Sequence, residues 1–150
     1  MRRLIVLLVL TLTLTLAAAN AALSEPEPTI ADGEQKAAAG DLEGATKIYE
    51  RITQIQPDSY EAFAHLGGTQ LLSQEYGEAV KSFQRAISLG DEGARSFLGM
   101  GMAYLHMGAF GPARAAFVEA RGRGTANATE VDGIIAWIDT RQPGNQTFTP

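Results

Sequence analysis

From Asp58 onward the apolar positions follow a helical rhythm. Phe63, Leu66, Gln70 and Leu71 fall at helical spacing behind Asp58-Ser59, and Glu61 stands three residues after Asp58, as in a capping box. Gln74-Glu75-Tyr76-Gly77 interrupts the pattern, after which Ala79, Val80, Phe83, Ala86 and Ile87 form a second stripe at i, i+3, i+4 and i+7. Two amphipathic helices joined by a short turn are predicted. Gly67 and Ala79 are small where the helices must approach closely, and Phe83 supplies the bulk beside them.

The same landmarks return every 34 residues: Gly33, Gly67 and Gly101; Ala45, Ala79 and Ala113; Tyr49, Phe83 and Phe117; Ile52, Ala86 and Ala120. A hairpin of two helices cannot cover its own apolar face, so about three must stack and the last needs an amphipathic cap. The pattern predicts units at 26–59, 60–93 and 94–127, with a capping helix over 129–141. Thr129 and Asp132 would cap that helix, Val131, Ile134, Ile135 and Ile138 would form its apolar stripe with Trp137 at the edge, and Ala136, Asp139 and Thr140 would lie on its wet side.

This order of residues resembles the tetratricopeptide repeat. The second unit answers the family signature with Phe63, Leu66-Gly67, Ala79 and Phe83, and the third with Phe97, Met100-Gly101, Tyr104, Ala113 and Phe117. The first has Gly33, Ala45, Tyr49 and Pro57, but Thr29 and Asp32 stand where apolar residues are usual, and Asp91 and Thr125 replace the closing proline of the other two. The three units span 102 of the 150 residues. The resemblance implies an all-α, right-handed solenoid of three helix-turn-helix repeats plus a C-terminal capping helix, whose first helices line a concave groove. It places the groove positions at Glu61, Ala64, His65, Gly68 and Leu72 in the second unit, and at Arg95, Leu98, Met102, Leu105 and His106 in the third. Some members clamp a terminal carboxylate with several basic side chains; the matching positions here include Ile30, Glu34, His65 and Gly99, and only Arg95 is cationic. An apolar or amphipathic segment of another protein is the better match, since Leu, Met and small residues give adaptable contact. Packing against neighbouring helices is the alternative for each of these side chains.

Met1-Arg2-Arg3, the apolar run from Leu4 to Leu16 and the small residues Ala17-Ala18-Ala19-Asn20-Ala21 read as a cleaved secretory signal over 1–21, with a proline-bearing linker over 22–28. The run is short for a membrane anchor, the other reading of this segment. The rest of the chain, 29–141, is the repeat domain, followed by a tail over 142–150 that is expected to fray. A periplasmic or secreted protein is therefore expected. Lys and Arg number 12 against 17 acids, a net charge of −5, which becomes −7 without the two leader arginines and argues against nucleic-acid binding. The absence of cysteine excludes disulfides, thiolate metal sites and thiol nucleophiles.

Gly99-Met100-Gly101 begins like a dinucleotide fingerprint, but Tyr104 stands in place of the third glycine and no strand precedes it, so a packing pair is expected. Lys47 and Lys81, with Arg51 and Arg85, recur at the repeat spacing as a basic ladder, its lysines placed to pair with Glu43 and Glu78. The expectation is a non-enzymatic adaptor of the cell envelope, without cofactor or catalytic residues, that holds a peptide or helix of another exported protein. Self-association through the first repeat stays open, and the alternative function is copper handling by His65, Met102 and His106.

Overall fold

The computed structural model describes residues 26–141. The expected signal segment and the tail lie outside them. Seven helices and no strand are found among the described residues: α1 (Ile30–Ala38), α2 (Leu42–Ile55), α3 (Tyr60–Leu72), α4 (Tyr76–Ser88), α5 (Ala94–His106), α6 (Phe110–Gly122) and α7 (Ala128–Arg141). Helices α2, α4 and α6 begin 34 residues apart, and so do α3, α5 and α7. By register, α7 is the first helix of a fourth hairpin.

Helix α1 starts four residues later than that register would place it. Pro26 and Pro28 disfavour helix at and just before themselves. Thr29 then caps the shortened helix: its hydroxyl accepts from Asp32 N–H at 3.3 Å while its own N–H donates to the Asp32 carboxylate at 2.8 Å. The two residues that depart from the apolar pattern are thus the reciprocal partners of a capping box. In α3 the cap is Ser59, whose hydroxyl accepts from Ala62 N–H at 3.2 Å. The capping box expected from Asp58 and Glu61 does not form, because the helix begins one residue later and its third position is Ala62.

Each hairpin closes on one aromatic ring. A Cβ at Gly33 would lie 2.5 Å from Tyr49, one at Gly67 2.9 Å from Phe83, and one at Gly101 3.0 Å from Phe117, so a methyl group would collide with the ring in the first two units and press tightly against it in the third. All three rings are almost fully buried, beside the fully buried Ala45, Ala79 and Ala113. Phe83 also lies against Gly99 of the next unit, which wedges its ring between α3 and α5. The pair Gly99 and Gly101 thus admits two successive rings, one from each side.

Helices α1 and α3 touch, as do α3 and α5, whereas the second helices of successive hairpins, α2, α4 and α6, stay apart. The stack therefore curves with its first helices on the inside. Lys47 pairs with Glu43 at 2.6 Å and Lys81 with Glu78 at 2.7 Å, on exposed faces of α2 and α4. Helix α7 buries Val131 and Ile138 and half-buries Ile134 and Ile135 against the last hairpin. Two of its acids differ from expectation. Asp139, expected on the wet side, is half-buried and accepts from Arg114 Nε at 2.5 Å and Nη2 at 3.2 Å; Asp132, expected as a cap, pairs with Arg121 of α6. Both acids thus tie α7 back to α6.

Candidate functional site

The inner surface holds a cavity of about 280 Å³ where α1, α3 and α5 come together. Ala64 and His65, then Gly68 and Leu72 one and two turns on, descend one face of α3 and form its long wall. Glu34 and Ala37 of α1 form one side and Arg95, in the first turn of α5, the other. Tyr49 enters from α2, because the bare Cα of Gly33 lets its ring pass behind α1.

Polar order at this cavity comes from short-range contacts. The His65 imidazole stacks on Tyr49 with ring centroids 5.2 Å apart, and its Nε2 lies 3.8 Å from the Glu34 carboxylate. Burial, and then the nearby Glu34 charge, push the Tyr49 phenol upward, so it stays neutral at ordinary pH. Thr46 donates its hydroxyl to that of Thr69 at 3.1 Å, and Thr69 in turn donates to the Leu66 carbonyl at 3.0 Å. A cation, an anion and a neutral phenol thus surround an apolar wall. Leu72 ends that wall with 65% of its surface exposed, which leaves it free for contact.

Of the positions assigned to the groove, Ala64, His65, Gly68, Leu72 and Arg95 meet at this cavity. Glu61 is exposed in the first turn of α3 and is not part of the lining. Leu98, Met102 and Leu105 pack against the cluster of Ala113, Phe117, Val131 and Ile138. Leu105 also lines a second opening, of about 450 Å³, with Gly133, Ile134 and Trp137 of α7. His106 is exposed and stacks flat on Tyr76, centroids 4.7 Å apart. His65, Met102 and His106 therefore lie against three different sets of neighbours. Among the described residues no group of three or more His, Asp or Glu side chains is placed to hold a metal. Ala37, Thr69 and Tyr49 are additions to the groove set, as is Glu34, named beforehand only as a position matching the carboxylate clamp; the recurrence of Gly33 and Tyr49 in the repeat series was the available signal for Tyr49.

No protein-family model and no curated protein sequence matches the chain. Solved structures match it well. PcrH, in complex with the chaperone binding region of PopD, is 19% identical over 75% of this chain and 89% of its own, with a TM-score of 0.70. The Yersinia enterocolitica type III secretion chaperone SycD, in complex with a peptide of the translocator YopD, is 15% identical over 75% and 91%, with a TM-score of 0.71. The second TPR domain of human RPAP3, in complex with an HSP70 peptide, is 22% identical over 71% and 88%, with a TM-score of 0.65. Stacked hairpins, an open inner face and these likenesses define an α-helical solenoid. Its fold is that of the tetratricopeptide repeat.

Proposed function

We propose that this protein is an exported, non-enzymatic adaptor that holds a peptide or helix of a partner protein in the concave groove. The observation that carries this reading is the open inner cavity of about 280 Å³, with Leu72 exposed at its end. The lining combines an apolar wall with one acid and one guanidinium, which suits a segment of alternating apolar and charged side chains. Packing already fixes the groove helices, so the partner meets a preformed surface and loses little free energy in ordering it. PcrH, SycD and the RPAP3 domain, each solved with a segment of another protein, support the reading by fold alone.

Gly68 provides the test, because it lines the cavity and a Cβ there meets nothing within 4 Å. Peptides selected from a displayed library on the wild-type protein should shift amide resonances of α1, α3 and α5, and Gly68→Leu should abolish binding at a melting temperature no lower than that of the wild type, leucine being the better helix former. Peptides that bind both proteins equally would remove the groove from the function. Export is tested separately by fusing residues 1–28 to alkaline phosphatase. Activity in the periplasm, with processing after Ala21, is expected; an inactive cytoplasmic fusion would refute it.

A further inference from the structure

Among the described residues, every lysine and arginine side chain but that of Arg95 has an ion pair, a hydrogen bond or an aromatic ring for a partner. Arg95 is exposed at the rim of the inner cavity. Local helix physics does not account for it. It stands in the first turn of α5, where the helix dipole disfavours a cation, and Glu61, which the dipole favours, holds the same place one repeat earlier in α3. Nor does α5 have an acid in its first turn to offset the guanidinium. Across the cavity, Glu34 keeps 58% of its side chain exposed. Its one basic neighbour among the described residues is His65, whose Nε2 lies 3.8 Å away, beyond hydrogen-bonding reach, and which carries charge only when protonated. Glu34 and Arg95 do not pair with each other, because their helices do not touch and α3 contacts both. Between them the wall is small and apolar: Ala64 and Gly68 line the cavity, and a Cβ at Gly68 would still meet nothing within 4 Å.

We propose that Glu34 and Arg95 select the partner segment by charge: a basic side chain meets Glu34, an acidic one meets Arg95, and an apolar side chain between them fills the bay beside Ala64 and Gly68. This rests on the concave groove being the binding surface and adds to it the chemistry of the occupant. Burial against the wall supplies the affinity, while the two rim charges set which sequences are accepted. A uniformly basic segment is repelled by Arg95 and a uniformly acidic one by Glu34. No terminal carboxylate is needed, since a guanidinium takes a side-chain carboxylate through two parallel hydrogen bonds. Length fits as well. From α1 past α3 to α5 is two helix spacings, or about 20 Å, which an extended segment crosses in about six residues.

The probes are three heptapeptides with blocked termini and one apolar core, Lys-Ser-Leu-Ala-Leu-Ser-Glu and the forms with lysine or glutamate at both ends. Affinities are read by fluorescence anisotropy in low salt at about pH 8, where an ordinary imidazole is neutral. The peptide with both charges should bind the wild type about tenfold more tightly than either uniform one. Arg95→Glu should turn the preference to the lysine peptide and Glu34→Lys to the glutamate peptide, whichever way the chain runs through the groove. Circular dichroism and thermal melting verify that both variants are folded. Equal affinities of the three peptides for the wild type, a ranking that either substitution leaves unchanged, or no binding of any of them would overturn the proposal. Gly68→Leu keeps this failure apart from that of the groove itself. Loss of all binding in that variant, with no discrimination by charge in the wild type, would retain the groove and remove the selection; binding that survives it would remove both. If no probe binds, the library-selected peptides still decide on the groove.

Discussion

Between α2 and α4, Arg85 reaches across to Phe63 and Pro57, and Ser82 and Gln70 hydrogen-bond beneath it; between α4 and α6 the equivalent positions carry Glu119, Ala116 and Tyr104, and the cleft stands open. Beneath both runs one scaffold. Phe83 closes the middle hairpin on Gly67 and Phe117 the last on Gly101, with a fully buried alanine in each. The contrast separates two kinds of position. Where a ring meets a bare Cα, one methyl group would collide with it or press hard against it, so residue size is tightly limited. Where a side chain projects outward, substitution changes stability little, and successive units can acquire different surfaces on a constant frame.

The most severe way to break the comparison is to remove the shared scaffold. Phe83 touches both Gly67 and Gly99, so Phe83→Ala should destabilise the protein by about 3–5 kcal/mol, read from urea unfolding, and disorganise both clefts together. An effect confined to one cleft would mean that the hairpins are supported independently.

The turns sharpen it at smaller cost. Gly40, Gln74 and Gly108 occupy one place in the repeat, with φ of 80°, 66° and 72°, and only the middle one bears a side chain. Gln74→Gly should therefore stabilise by about 1 kcal/mol in the same measurement.

The two covering arginines come next. Arg123 lies 4.3 Å over the Phe97 ring and Arg85 5.7 Å over that of Phe63, so Arg123→Ala should cost about 1 kcal/mol and Arg85→Ala about half as much. The reverse order would show that the hydrogen bonds to the Glu92 and Pro57 carbonyls, not the rings, hold these side chains.

The smallest effect is a dependence on pH. The hydrogen bonds from Arg114 hold the Asp139 carboxyl below the usual carboxylate range. A depressed folded pKa stabilises fully above the unfolded value near 3.9, and this contribution is lost as pH falls through the lower folded value. Asp139→Asn should weaken the acid dependence of the urea midpoint. A residual slope should persist, because Asp32 and Asp41 are depressed too, by Thr29 and Lys36 respectively. An unchanged slope would remove Asp139 from the acid response.

The period of 34 follows from the chain alone, since recurrent glycine, alanine and aromatic residues reflect packing that each hairpin makes within itself. The small-against-large contacts of Gly67 with Phe83 and Gly101 with Phe117 could be read in the same way. Local hydrogen bonding was harder to place: the cap moved from Asp58 to Ser59, and Thr29 with Asp32 proved to be a cap rather than a lapse in the pattern. A shift of one residue is invisible to apolar periodicity. Only the assembled stack decided that Glu34, Tyr49, His65 and Arg95, drawn from four helices, would share one cavity, and that Leu98 and Met102 would turn toward α7. Those outcomes depend on the angle and distance between neighbouring hairpins, which arise from many side chains packing at once and which no single spacing along the chain encodes.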